Sequence, residues 1–146
     1  MTDPRILPPD ILEIRDRLEE VIVDANYEGD FRRSALLALD LCDLLRPSLS
    51  NRQMLAVKAA KSYWSGAESV EFEQLAEECL RAIRATQHLA ASGNQEFSIT
   101  RLVFAATNRY TEFSSYTCEF QLGLGYGAGL TAEQMRGVFR AHVPEF

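Results

Sequence analysis

Apolar residues recur every three or four positions near the amino terminus, which is the spacing of one buried helix face: Ile11, Ile14, Leu18, Val21, Ile22 and Ala25. This spacing predicts a first helix from about Asp10 to Ala25, after the stop imposed by Pro8 and Pro9. A second helix is predicted to begin at the cap Asp30 and to end before Pro47, because the residue before a proline is pushed out of the α region.

Capping signals predict the next two helices. Ser50-Asn51-Arg52-Gln53 reads as a capping box, which opens a third helix, and Gly66 is the residue expected to terminate it. Ser69 is predicted to cap a fourth helix that runs to about Ala91, with Gly93 as its terminator. The connections between these segments are short, so successive helices should lie roughly antiparallel.

The segment from Thr100 to Phe120 carries both helical and extended signals. It is rich in β-branched and aromatic residues, so Phe97 to Phe104 could be a strand. We favour a fifth helix, because a helical stripe fits the following residues better: Leu102, Ala105, Ala106, Arg109, Phe113, Tyr116 and Phe120. A second capping box, Thr131-Ala132-Glu133-Gln134, predicts a last helix that stops before Pro144.

Residues 123 to 129 read Gly-Leu-Gly-Tyr-Gly-Ala-Gly and hold four of the chain's eight glycines. Because glycine costs about 1 kcal/mol relative to alanine inside a helix, we predict an extended segment or loop. The alternative is a helix in which Gly123/Gly127 and Gly125/Gly129 form GxxxG pairs for close helix contact. The run has no lysine and no preceding strand, so it predicts neither a P-loop nor a dinucleotide site.

The predicted fold class is therefore all-α. We expect a single-domain bundle of about six helices over residues 1–146, with a Gly-rich break before the last helix. A length of 146 residues and a hydrophobic fraction of 47% are sufficient for one ordinary globular core.

Charge and cysteine usage limit the possible partners. The net charge of −6 argues against a nucleic-acid partner and favours a protein that is basic at its contact surface. Cys42, Cys79 and Cys118 form no CxxC motif, so we expect buried free thiols and no zinc site. The amino terminus lacks the apolar segment of a signal peptide, and no uncharged run approaches the ~18 residues of a membrane span. These features predict a cytoplasmic protein with no membrane partner.

The sequence contains no recognisable catalytic or metal-binding pattern. His88 and His142 belong to no HExxH motif, and both are expected near helix ends. Glu77 and Glu78 have no histidine three residues later, which a carboxylate di-metal site in a bundle would need. We therefore predict no catalytic residues, no metal site and no cofactor, and a chain that is not an enzyme.

Candidate partner-binding residues fall into two groups. Spacings of three and four residues place four acids on one face of the first helix: Glu13, Asp16, Glu20 and Asp24. Such a face is either solvated surface or a docking surface for a basic partner. Tyr63, Trp64 and Tyr126 are candidate aromatic anchors, and the alternative for the Tyr63-Trp64 pair is a place in the core.

Residues 35–79, near the middle of the chain, contain a recognisable sequence pattern. Residues 35–42 read Ala-Leu-Leu-Ala-Leu-Asp-Leu-Cys, Pro47 follows, residues 56–66 read Ala-Val-Lys-Ala-Ala-Lys-Ser-Tyr-Trp-Ser-Gly, and residues 75–79 read Leu-Ala-Glu-Glu-Cys. Over roughly residues 32 to 91, the chain resembles small all-helical immunity proteins of bacterial polymorphic toxin systems.

The resemblance implies an immunity protein, which neutralises a cognate toxin by direct binding and has no catalytic residues of its own. The acids of the first helix would then speed encounter with a basic toxin, and Tyr63, Trp64 and Tyr126 would act as anchors. The alternative is a helical adaptor or regulatory protein without catalysis, and such a protein could be a homodimer joined through the glycine segment.

Overall fold

The computed structural model describes residues 7–22, 29–67, 70–92, 94–143 and 146. Within these ranges the chain forms seven α-helices and two 3-10 segments, at Arg46–Ser48 and Gln87–Ser92, and no strand. The α-helices are α1 (Pro9–Ile22), α2 (Phe31–Leu44), α3 (Asn51–Trp64), α4 (Val70–Thr86), α5 (Gln95–Thr107), α6 (Ser115–Gly127) and α7 (Ala132–His142). The predicted all-α class is confirmed.

The capping residues read from the sequence lie where they were predicted. Asp30 accepts a hydrogen bond from the Arg33 amide at the start of α2, and complete capping boxes open α3 at Ser50 and α7 at Thr131. The predicted end of the first helix at Ala25, the cap Ser69 and the terminator Gly93 lie outside the described residues. Local hydrogen bonding thus determines these helix starts, as the sequence indicated.

The predicted fifth helix is two helices, which makes the expected count of about six too low. Phe97 to Phe104 lies within α5, so the strand alternative is wrong. The Asn108 side chain accepts from the Tyr110 amide at 2.9 Å and donates to Thr111 Oγ1 at 2.8 Å, which holds the chain in a turn. Short polar side chains compete with helical backbone hydrogen bonds in this way, and the polar turn therefore interrupts an otherwise helical apolar pattern.

Helix α5 lies at the centre of the bundle. It packs against α2, α3, α4 and α6, while α1 packs on α6 and α7. The largest fully buried side chains include three phenylalanines from different parts of the chain, Phe72, Phe113 and Phe139. One continuous core therefore joins both ends of the sequence, and α6 forms one of its walls.

The glycine run is helical, and the prediction of an extended segment or loop is wrong. Helix α6 continues through Gly123, Gly125 and Gly127. Only residues 128–131 separate it from α7, so the predicted Gly-rich break shrinks to this short turn. Gly129 has a φ of +99°, and the amides of Gly129 and Leu130 donate to the carbonyls of Tyr126 and Gly125. This is a Schellman-type helix end, in which glycine adopts the left-handed conformation at little cost.

Close approach of neighbouring helices explains two of the helical glycines. A β-carbon at Gly125 would lie 2.7 Å from Met135 Sδ of α7, and one at Gly127 would overlap the Ser98 hydroxyl of α5. A β-carbon at Gly123 would meet nothing within 4 Å. Tertiary packing therefore offsets the low helix propensity of Gly125 and Gly127, whereas no described residue packs closely on Gly123.

Candidate functional site

The predicted acidic residues on α1 are exposed. Glu13, Asp16 and Glu20 are 78%, 69% and 71% exposed at their side chains, and each lies 3.4–3.8 Å from an arginine. Exposed pairs of this kind contribute about 0–1 kcal/mol, so these carboxylates stay available to a partner. The fourth predicted acid, Asp24, lies outside the described residues.

Arginines balance the acids on the side of α1 that faces α7. A groove of about 370 Å³ there is lined by Glu13, Asp16 and Glu20 together with Arg17, Arg136 and Arg140. This groove is therefore mixed in charge, which the spacing of the acids alone did not indicate.

On the side of α1 that packs on α6, Asp16 and Glu19 lie with Arg15 close to Glu119 of α6. Burial, together with a hydrogen bond and a like charge from Glu19, raises the pKa of the Glu119 carboxyl to about 7. Asp16 raises this pKa further, and Arg15 opposes the shift. Glu119 Oε1 and Arg15 Nε are also buried without a hydrogen-bond partner among the described residues. The seam thus holds neighbouring carboxyl groups, of which Glu119 has one oxygen without a hydrogen-bond partner among the described residues.

Exposed aromatic side chains adjoin this acidic seam. Tyr116 and Phe120 of α6 are 76% and 45% exposed and lie three residues before and one residue after Glu119. The guanidinium of Arg101 lies 5.8 Å from the Phe120 ring and 5.4 Å from the Phe97 ring, which positions Phe120. We call the set Asp16, Glu19, Glu119, Tyr116 and Phe120 the α1–α6 surface.

Tyr116, Glu119 and Phe120 were not among the partner-binding residues predicted from the sequence. Tyr116 and Phe120 were placed in the apolar stripe of one long fifth helix. The signal that could have separated them is Ser114, which caps α6 through its hydroxyl and restarts the helical register. Once α6 begins at Ser115, its inward side is defined by the buried residues Cys118 and Leu122, and Tyr116 and Phe120 fall on the outside.

The predicted anchors Tyr63 and Trp64 are half-buried and pack between helices. The Tyr63 ring stacks on Phe72 with 4.4 Å between centroids, and Trp64 Nε1 donates to the Ala106 carbonyl at 3.1 Å. These contacts join α3 to α4 and α5, so we leave both residues out of the proposed contact surface. Tyr126, the third predicted anchor, is 37% exposed near the end of α6.

The histidines and cysteines in the described ranges belong to no group that could hold a metal ion. His142 Nε2 lies 2.5 Å from Asp40 Oδ2, and the His142 carbonyl accepts from Arg33 at 2.8 Å, which fastens the end of α7 to α2. Burial raises the pKa of the Cys79 and Cys118 thiols to about 11 and about 12, and that of Cys42 further. Such thiols are protonated near neutral pH and unreactive. The described residues contain no group of three or more potential metal ligands.

A further groove, of about 670 Å³, runs between α3, α4 and α5. Arg52 and Glu78 form an ion pair at its edge, with 2.6 Å between nitrogen and oxygen. Two of its hydroxyl groups already form hydrogen bonds with helix backbones. Ser50 accepts from the Gln53 amide at the start of α3, and Thr86 donates to the Ala82 carbonyl. The groove therefore presents apolar surface with few free polar groups.

In the comparisons with known proteins, no family model, curated protein or solved structure matches the chain. Among the helices in the described ranges, none combines the length and apolar character needed to cross a bilayer.

Proposed function

We propose that this protein is an immunity-type inhibitor, which neutralises a cognate bacterial toxin by binding it directly through the α1–α6 surface. The observation that carries the proposal is the crowded Glu19–Glu119 carboxyl pair beside the exposed rings of Tyr116 and Phe120. The resemblance to immunity proteins supplies the biological class, and the surface supplies the mode of contact.

The carboxyl pair favours a cationic group from the partner. Burial, and after it the hydrogen bond and like charge of Glu19, disfavour the ionised form of Glu119 and raise its pKa to about 7. An arginine or lysine placed beside the two would favour their ionised forms and form charge-assisted hydrogen bonds with their carboxylate oxygens. A basic side chain of the toxin is therefore the expected group at this position.

The aromatic residues supply contact area next to the charged pair. Tyrosine and phenylalanine are enriched at protein interfaces, and energetic hot spots favour large side chains near the centre of a contact. The acids Asp16 and Glu19 would mainly speed association, while burial of Tyr116 and Phe120 would mainly slow dissociation. Tyr126, further along α6, would lie at the edge of this contact.

A homodimeric adaptor is the second candidate. Gly123 favours it, because this glycine leaves bare backbone on α6 and no described residue lies within 4 Å of where its β-carbon would be. A twofold dimer through α6 would, however, bring the acids of two copies together. Light scattering after size-exclusion chromatography tests the point, since a monomer at high concentration would rule out the dimer.

Growth rescue tests the leading proposal. A toxin encoded beside this gene, as the proposal expects, would be co-expressed with the wild-type chain or with Glu119→Lys, Phe120→Ser or the control Glu77→Lys. Glu77 lies on α4 in a weak surface pair with Arg81, so its reversal changes net charge equally without touching the α1–α6 surface. We expect rescue by the wild type and the control, and loss of rescue with the other two variants. Failure of the wild-type chain to rescue growth would reject the proposed function.

A further inference from the structure

Helix α3 turns aliphatic side chains toward solvent. Only Ala56, Val57 and Ala60 of this helix are buried, whereas Met54 and Leu55 are 42% and 47% exposed. These two residues, with Leu49 and Val57, line a groove of about 530 Å³ between α3 and the end of α2. We call it the α3 groove.

The rim of the α3 groove is basic, in contrast to the acidic character of the whole chain. It contains both lysines of the sequence, Lys58 and Lys61, and also Arg46. Asp43 is the one acid among its lining residues, and it pairs with Lys61 at 2.6 Å and with Arg46 at 3.3 Å. Two cations therefore share one carboxylate, and Lys58 adds a further positive charge on the exposed face of α3.

We propose that the α3 groove docks an acidic amphipathic helix of another protein. An apolar floor accepts side chains that recur every three or four residues on such a helix, and a basic rim pairs with the acids that flank them. Met54 suits this role because a flexible thioether adapts to the shape of the partner.

Charge and surface chemistry disfavour other occupants. A second copy related by a twofold axis through α3 would place Lys58 of each copy near the same cations of the other, which repel. A nucleic acid would match the cations, but it would leave Met54 and Leu55 against phosphate and sugar, and the chain carries a net charge of −6. The proposed site shares no residue with the α1–α6 surface, so it goes beyond the toxin contact and is tested separately.

The test uses a synthetic peptide as the probe. A fluorescent, end-capped helix of about 18 residues, with leucines every three or four positions and glutamates beside them, would be titrated with the full chain. A matched peptide with lysines in place of the glutamates is the charge control. We expect the glutamate peptide to bind, the lysine peptide to bind at least about tenfold more weakly, and added salt to weaken binding.

Two variants locate the binding on the protein. Lys58→Glu and Leu55→Ser should each weaken binding of the glutamate peptide by about fivefold or more, with thermal unfolding unchanged. Arg84→Glu, an equal charge reversal at an exposed position of α4, should leave the affinity within about twofold.

Several results would overturn the proposal. They are absence of peptide binding at millimolar concentration, equal binding of the two peptides, and an affinity that Lys58→Glu does not change. Tighter binding of a short duplex DNA than of the glutamate peptide would assign the groove to nucleic acid. Concentration-dependent dimerisation that Leu55→Ser abolishes would assign it to a second copy of the chain.

Discussion

Helices α6 and α3 both depart from the usual amphipathic pattern, and they do so for different reasons. In α6, Gly125 and Gly127 face α7 and α5 so closely that a β-carbon would collide, while Tyr116 and Phe120 project outward. In α3, the buried residues are Ala56, Val57 and Ala60, whereas Met54 and Leu55 project outward. A helix that buries small residues and exposes large apolar ones presents a surface suited to a partner.

The two exposed faces also differ in charge. Tyr116 and Phe120 lie beside the Glu19–Glu119 pair, whereas Met54 and Leu55 lie beside Lys58 and Lys61. One net-acidic molecule thus offers an acidic aromatic surface and a basic aliphatic groove. Net charge alone predicts only basic partners, whereas the three-dimensional distribution of charge supports the proposal of an acidic partner at the α3 groove.

The largest effect is expected where α6 meets α5. Gly127→Val should lower the free energy of unfolding by about 2–3 kcal/mol, because its branched side chain would overlap Ser98 in a closely packed interface. Chemical denaturation monitored by circular dichroism measures this loss. The matched control Gly123→Ala should raise stability by up to about 1 kcal/mol, since the added methyl meets open space within a helix. Equal effects of the two substitutions would contradict the assigned packing of α6.

A smaller, pH-dependent effect is expected at the outer edge of α6. Because the folded chain raises the Glu119 pKa to about 7, the folded state binds more protons than the unfolded state between about pH 4.5 and 7. The stability that protonation of Glu119 contributes to the folded state is therefore lost as the pH rises from about 4.5 to 7. Glu119→Gln should make the protein more stable than wild type above about pH 7, by about 1 kcal/mol after allowance for partial solvation, and equal to it below about pH 4.

Denaturation curves of both proteins across this pH range provide the measurement for Glu119. Glu133→Gln, at an exposed position in the first turn of α7, serves as the matched control. A stability difference between Glu119→Gln and wild type that stays constant with pH would show that Glu119 does not retain its proton.

The smallest effect on stability is expected on α3. Leu55→Ser should change the free energy of unfolding by no more than about 0.5 kcal/mol, because half of this side chain already contacts water. A loss above about 2 kcal/mol by the same denaturation assay would mean that Leu55 belongs to the core, and the contrast between α3 and α6 would fail.

Local signals in the sequence located most helices correctly. Asp30, Ser50 and Thr131 were identified as caps, and all three accept the expected backbone hydrogen bonds. A capping hydrogen bond joins a side chain to a backbone amide within the next three residues. A short stretch of sequence therefore contains both partners of the interaction. The polar turn after Asn108 was missed, because the apolar spacing on both sides of it continues the same helical stripe.

The candidate site was less predictable. The exposure of Glu13, Asp16 and Glu20 followed from helical spacing, but the arginines of α7 that balance them come from more than 110 positions away in the sequence. The pairing of Glu119 with Glu19 joins residues exactly one hundred positions apart. No local pattern encodes which helices become neighbours, so neither the acidic seam nor the mixed groove could be located in advance.

The sequence by itself determined the all-α class, the helix starts at its capping residues and the abundance of acid on α1, because these depend on neighbours within a few positions. Only the tertiary structure decided that the glycine run is helical, that Tyr63 and Trp64 pack between helices, and that Tyr116 and Phe120 face outward. The physical reason is that helix propensities amount to about 1 kcal/mol per residue or less, whereas burial against neighbouring helices contributes more and can reverse them.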